Sequence, residues 1–107
     1  MAVVSRNLRI DKGTDFSIDL VVRDSTGSTR DLSGSSAVAK LRKSPNSSTV
    51  YSFTTSISGG TITLTMTDTV TATLSSGINT YDVVLTESGL KEKVYEGTIT
   101  VYDTTSV

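Results

Sequence analysis

The chain has 107 residues, a formal net charge of −1 and no histidine or cysteine, while about a third of its residues are serine or threonine. The length predicts a single domain that spans residues 1–107. The missing cysteines exclude a disulfide framework and thiolate zinc sites. The balance of 10 basic and 11 acidic residues gives no long-range attraction to nucleic acid or to an anionic membrane.

The N-terminus has no apolar signal-peptide core, and no apolar run reaches the ~20 residues of a membrane helix. These observations predict a protein that is made in a cytoplasm.

Alternation of apolar and polar residues predicts strands in the first half of the chain at residues 3–10, 16–23, 29–32 and 37–42. The second of these is the clearest, because Phe16, Ile18 and Leu20 fall on one face of the strand. Turns rich in Gly, Ser and Asp separate the strands.

The second half of the chain predicts strands at residues 50–57 and 61–67, a strand that contains Tyr81, and a last strand at residues 91–102 with a bulge at Gly97. Residues 68–74 break the alternation. They predict one helical turn that begins at Asp68 as its N-cap and buries Val70, Ala72 and Leu74.

Seven or eight short strands at this spacing, without a long helix, predict an all-β fold. We expect an immunoglobulin-like antiparallel β-sandwich. In that fold a tyrosine after the helical turn fixes the preceding connection through its hydroxyl, and Tyr81 has the matching position. The alternative is that Tyr81 is an ordinary core aromatic.

The residues predict no catalytic, cofactor-binding or metal site, and we expect a protein that is not an enzyme. No histidine is present to activate the many serines, and no Ser-x-x-Lys pattern occurs. The carboxylates fall mostly in turns or on polar faces, and the turn from Asp11 to Asp15 lacks the ligand spacing of a calcium loop.

Two surface features are candidate partner contacts. Lys40, Arg42 and Lys43 form a basic patch, which either protects an exposed sheet edge or contacts an acidic neighbour. The chain end is the second candidate, because it suits strand addition to a neighbouring protein; it consists of Asp103, Thr104, Thr105, Ser106 and Val107. A row of threonines at residues 61–67 has no matching row in adjacent strands and fits the β-propensity of threonine.

The order of the turn motifs resembles the immunoglobulin-like domains of tailed-phage virion proteins, in particular the N-terminal domain of phage baseplate upper proteins. The resemblance extends over nearly the whole chain. The segments that carry it are residues 9–18, 24–27, 31–34, 40–44, 74–77, 81–83 and 96–101.

This resemblance implies a structural virion protein, made in the host cytoplasm, whose partners are other virion proteins in many symmetric copies. In the baseplate family a long receptor-binding or fibre-carrying portion follows the domain, whereas this sequence ends at Val107. We therefore expect an adaptor in the tail, baseplate or fibre attachment. Capsid decoration and carbohydrate-binding adhesion are the alternatives, and no nucleic acid, membrane, small-molecule substrate or cofactor is expected.

Overall fold

A computed structural model describes residues 3–24, 26–44 and 46–106 of the chain. These residues form two packed β-sheets. The larger sheet contains β1 (Val4–Ser5), β2 (Leu8–Asp11), β4 (Ser36–Arg42), β5 (Val50–Ser52), β8 (Gly77–Glu87) and β9 (Leu90–Tyr102). The smaller sheet contains β3 (Phe16–Val21), β6 (Thr54–Ser58) and β7 (Thr61–Met66), and the short helix α1 (Asp68–Thr71) connects β7 to β8.

The strand order of the larger sheet is β9-β8-β4-β5, with β1 and β2 both paired to the outer side of β9. The smaller sheet has the order β3-β7-β6. All pairs are antiparallel except those of β1 and β2, which run parallel to β9. The predicted all-β sandwich is confirmed, and the parallel pairs at one edge are an addition to it.

The core lies between the sheets and is built from alternate residues of their strands. Leu20, Ile62, Leu64, Val83 and Ile99 are completely buried. Burying an aliphatic side chain of this size stabilises the fold by about 1.5–3 kcal/mol relative to leaving it exposed. The assignment of Leu20 to the core face of its strand is therefore confirmed.

The predicted strand at residues 3–10 is divided into β1 and β2 by Arg6 and Asn7. The carbonyl oxygen of Arg6 passes so close to Gly97 on β9 that a Cβ atom at Gly97 would lie 2.1 Å from it. Gly97 thus permits a close backbone approach, and the predicted bulge at this residue is wrong. The register shift lies nearer the start of β9, where Val83 pairs with Tyr95 and Val84 with Lys93, so that Val94 has no partner on β8.

Two other predicted strands differ from the structure. Residues 50–57 divide at Phe53, whose N–H donates to the carbonyl oxygen of Ala39 at 3.0 Å while the chain passes from the larger sheet to the smaller one. Residues 29–32 form an isolated bridge between Arg23 and Thr29 instead of a strand.

The predicted helical turn is present as α1, and Leu74 is buried as predicted, but Thr71 is buried in place of Val70 and Ala72. The N-cap is Thr67, without a side-chain hydrogen bond, and Val70 and Ala72 are exposed. Thr71 and Leu74 are buried because a spacing of three residues places them on the same side of the turn. The Thr71 hydroxyl accepts the N–H of Gly13 at 3.1 Å and donates to the carbonyl oxygen of Thr14 at 2.8 Å.

The predicted role of Tyr81 in the connection before its strand is wrong. Its hydroxyl donates instead to the carbonyl oxygen of Arg6, at 2.7 Å, and so connects β8 to the junction of β1 and β2. Asn79 fixes the connection, because its Nδ2 donates to the carbonyl oxygens of Ser75 and Gly77, both at 3.2 Å. Burial raises the pKa of the Tyr81 hydroxyl to about 12.

Candidate interaction surfaces

The basic patch lies on the outer face of the larger sheet, but not at its edge. β4 has β8 on one side and β5 on the other, so the interpretation of Lys40 as edge protection is wrong. Lys40 and Arg42 alternate along β4 and share the outer face, and Lys43 follows the end of the strand.

Backbone carbonyls hold two of these three side chains. Arg42 Nη1 donates to the carbonyl oxygen of Ser47 at 2.8 Å, and Lys43 Nζ donates to that of Ser76 at 3.3 Å. Among the described residues, no carboxylate forms an ion pair with Lys40, Arg42 or Lys43. A carbonyl oxygen fixes the position of a cation without neutralising it, so the patch keeps its positive charge.

A shallow concavity of about 510 Å³ extends from this patch across the outer face to β1. The strand register places Lys40 beside Asp82 and Asp82 beside Glu96. Lys93 Nζ lies 3.3 Å from Glu96 Oε1 and 3.9 Å from Asp82 Oδ2. Both carboxylates therefore lie within ion-pair distance of Lys93, whereas Lys40 and Arg42 form no ion pair with a residue that the structure describes.

The charged groups of this concavity can bind a charged surface. They are solvent-exposed or partly exposed, so each ion pair with a partner contributes roughly 0–1 kcal/mol and is screened by salt. In the part of the chain that the structure describes, no three His, Cys, Asp or Glu side chains come together in a way that could hold a metal ion.

The chain end is fixed to the domain at its first residue. Asp103 Oδ1 accepts a hydrogen bond from Ser76 Oγ at 2.6 Å and lies 3.9 Å from Lys12 Nζ. Thr104 is half-buried, and Thr105 and Ser106 are exposed. Val107 lies outside the described residues, and strand addition by this end stays a prediction.

The outer face of the smaller sheet is covered by hydroxyl groups. The expectation that adjacent strands lack a row matching the threonines of β7 was wrong, because β6 contributes three hydroxyls and β3 contributes one. The register forms the rows Ser17–Thr65–Thr54, Asp19–Thr63–Ser56 and Val21–Thr61–Ser58. The polar face of β6 is visible in the alternation of residues 54–58, and the pairing of β6 with β7 places that face beside the threonines of β7.

The two outer faces also differ in charge. No lysine or arginine occurs between Lys43 and Lys91, nor between Lys12 and Arg23. The strands of the smaller sheet and α1 therefore carry only the carboxylates of Asp19 and Asp68, and Asp15 lies directly before β3.

A family model described as LtfC-like, beta-sandwich domain matches residues 3–102. The chain belongs to this LtfC-like family. The LtfC-like match ends at Tyr102, the last residue of β9, so it includes the basic patch and leaves out the chain end. It supports the sandwich fold, and the resemblance to phage baseplate proteins stays a prediction.

Among solved structures, the LtfC-like chain is similar to the crystal structure of Listeria monocytogenes InlP, with a TM-score of 0.49 and 17% sequence identity. The similarity covers 92% of this chain and 27% of InlP. A search of curated proteins gave no match. Within the described residues, no helix has the length and apolar character needed to cross a lipid bilayer.

Proposed function

We propose that this LtfC-like domain is a non-enzymatic structural subunit of a tailed-phage particle, which joins neighbouring proteins in the tail, baseplate or fibre attachment. Two things support the proposal: the order of turn motifs that resembles phage virion proteins, and the membership of a β-sandwich family. In this role the protein is made in the host cytoplasm and then incorporated into the virion.

The observation that carries the proposal is that one sandwich presents two chemically different faces. The larger sheet has a charged concavity in which Lys40 and Arg42 form no ion pair with any described residue. The smaller sheet has a face of hydroxyls with a single carboxylate, Asp19. An adaptor needs two such surfaces, because it contacts two different neighbours at once.

The charged face fits an acidic neighbour. Lys40, Arg42 and Lys43 would pair with carboxylates of that neighbour, with Arg42 already oriented by its hydrogen bond to Ser47. The formal net charge of −1 gives no long-range steering, so specificity comes from complementary shape and charge at close range. Weak single contacts are sufficient when many copies bind in one symmetric particle.

The carbohydrate-binding alternative has less support. Sugar sites generally use exposed aromatic rings, and in the described part of the chain Tyr102 is the one aromatic side chain that is largely exposed. The guanidinium of Arg9 covers this ring at 4.1 Å from its centroid, so the ring face is already occupied.

The proposal is tested by locating the protein in virions purified from the source of this sequence. Mass spectrometry of the particles should detect the chain, and imaging of labelled particles should place it in the tail, the baseplate or at a fibre. A position on the capsid surface would favour the decoration alternative. Absence from purified virions would overturn the structural role itself.

A further inference from the structure

The smaller sheet has a vacant strand position. In the constant-type immunoglobulin sandwich, the corresponding sheet has four strands, and the first strand of the chain pairs beside the second. Here β1 and β2 both pair with β9 in the other sheet. Among the described residues, therefore, no strand pairs with the outer side of β3.

The backbone of β3 shows which groups point away from β7. The N–H of Val22, directly after β3, donates to the carbonyl oxygen of Gly60 at 2.8 Å, in continuation of the β3–β7 register. Backbone groups alternate in direction along a strand, so the groups of Ser17, Asp19 and Val21 point away from β7. The carbonyl oxygen of Val21 confirms this direction, because it accepts a hydrogen bond from the Tyr95 hydroxyl at 2.5 Å.

The other sheet edges have features that hinder strand addition. On β3 the Tyr95 hydroxyl occupies one outward group, the carbonyl oxygen of Val21 at the end of the strand, and the edge before it at Ser17 and Asp19 has no such feature. β1 and β2 are separated by Arg6 and Asn7, and β5 has only three residues. β6 is fastened to β4 by the Thr55 hydroxyl, which donates to the carbonyl oxygen of Ala37 at 2.8 Å. β3 has six residues without a proline, a lysine or a bulge.

The side chains of β3 indicate what would cover this edge. Leu20 is completely buried, but Phe16 and Ile18 on the same face are only partly buried. Asp19 lies on the outer face, exposed, with Thr63 as its hydrogen-bond donor at 2.7 Å. Apolar residues of an added strand would cover Phe16 and Ile18, and a cation would complement Asp19.

We propose that the free edge of β3 binds an extended strand of a neighbouring protein, with a lysine or arginine beside Asp19 and apolar residues beside Phe16 and Ile18. The neighbour is supplied by the proposed adaptor function, on which this inference rests. A second copy of β3 fits less well, because antiparallel pairing of two β3 strands places their Asp19 carboxylates opposite or diagonal to each other. This mode of recognition is strand addition to an open sheet edge.

The test uses the purified chain and a blocked peptide, Val-Thr-Val-Lys-Val-Thr-Val, which places its lysine and threonines on one face and its valines on the other. Amide hydrogen exchange measured by NMR should be fast for Ser17 and Asp19 in the free protein. Saturating peptide should slow the exchange of these amides at least about tenfold. A peptide with glutamate in place of lysine should bind roughly two- to tenfold more weakly.

Three variants complete the test. Ser17→Pro removes an outward N–H without breaking the ladder to β7, and should abolish peptide protection while leaving the rest of the exchange pattern unchanged. Asp19→Lys should reverse the preference between the two peptides. Ser56→Lys is the control for position, because it introduces a lysine in the same row at the far edge of the sheet, and it should leave the preference unchanged.

The proposal is overturned if the Ser17 and Asp19 amides are already protected in the free chain, or if millimolar peptide protects neither of them. It is also overturned if Asp19→Lys and Ser56→Lys change peptide preference equally. If Ser17→Pro fails to fold, the comparison of Asp19→Lys with Ser56→Lys still tests whether the peptide binds beside Asp19. If the protein binds the peptide but is absent from virions, the adaptor function is refuted and this inference is not. If the protein is incorporated into virions but the edge of β3 binds no peptide, this inference is refuted and the adaptor function is not.

Discussion

Two buried tyrosine hydroxyls join strands that are far apart in the sequence. Tyr81 donates to the carbonyl oxygen of Arg6, and Tyr95 donates to that of Val21. Alternation predicted that both rings are buried, because it assigns faces within each strand. It could not predict the hydroxyl partners, since these depend on where β1 and β3 lie in three dimensions.

Replacing Tyr81 with phenylalanine should destabilise the protein by roughly 1–2 kcal/mol, because the ring remains while the Arg6 carbonyl loses its donor. Urea denaturation measures this difference. Tyr51→Phe is the control, since its hydrogen bond to the carbonyl oxygen of Thr73 is 3.2 Å long and exposed, and its loss should be nearly neutral. Equal stability of the Tyr81 variant and the wild type would contradict the structural role of the hydroxyl.

Tyr81 also predicts an alkaline limit to stability. Burial raises its pKa in the folded protein to about 12 from the ordinary value of 10.0, so the unfolded chain loses this proton first as pH rises. The contribution of this group to the free energy of unfolding is complete below pH 10 and is lost between about pH 10 and 12. In that range the free energy of unfolding falls by at most ~1.4 kcal/mol per pH unit. Chemical denaturation at several pH values should show a weaker alkaline loss in Tyr81→Phe than in the wild type; identical pH profiles would refute this.

Leu20 tests the packing of the core. Leu20→Ala should cost roughly 2–5 kcal/mol, because it leaves a cavity between the two sheets at a completely buried position. Ser17→Ala on the outer face of the same strand should change stability by less than about 0.5 kcal/mol. Thermal or urea unfolding measures the stability of both variants. Similar losses of stability in the two would contradict the assignment of Leu20 and Ser17 to opposite faces of β3.

At the scale of elements, α1 fastens the β2–β3 turn through one buried hydroxyl. Thr71→Val keeps the shape of the side chain but leaves the N–H of Gly13 and the carbonyl oxygen of Thr14 without their partner. We expect a loss of about 1–3 kcal/mol. Thr69→Val in the same helix is exposed and should be nearly neutral. Urea unfolding measures the stability of both variants. Equal losses of stability in Thr71→Val and Thr69→Val would show that the Thr71 hydroxyl does not stabilise this turn.

Strand positions were largely predictable because period-two alternation records which side chains face the core. The division of residues 50–57 at Phe53 was not predictable, since alternation continues while the chain changes sheets. The buried face of α1 was also missed, because an apolar pattern favours Val70 over Thr71 when the polar partners of Thr71 lie 57 and 58 residues away.

At the scale of the molecule, the sequence located the basic patch but not its setting. The cluster of cations was visible in Lys40, Arg42 and Lys43, whereas the interior position of β4 depends on pairing with β8. The outward row of Asp82 and Glu96 was missed for the same reason, because residues from distant strands become neighbours only through register. The open edge of β3 likewise follows from topology alone.

The chain end gives a prediction that separates folding from assembly. Removing residues 105–107 keeps Asp103 with its Ser76 and Lys12 partners, so the melting temperature should stay within a few degrees of the wild type. If the end binds a neighbour, incorporation into particles should fall. Full occupancy of the truncated protein in purified virions would remove the chain end from the contact.

The most direct measurement of the adaptor role is the number of copies per purified virion for the wild type, for Lys40→Glu with Arg42→Glu, and for Lys91→Glu. Lys91 is an exposed cation on β9 that does not line the concavity, so its variant measures the effect of reversing one cation outside the concavity. We predict a fixed copy number for the wild type and for Lys91→Glu, and a copy number at least about tenfold lower for the folded double variant, since several weak ion pairs turn repulsive together. Wild-type virions that contain no copies would contradict the account, and equal copy numbers for all three proteins would contradict the assigned surface.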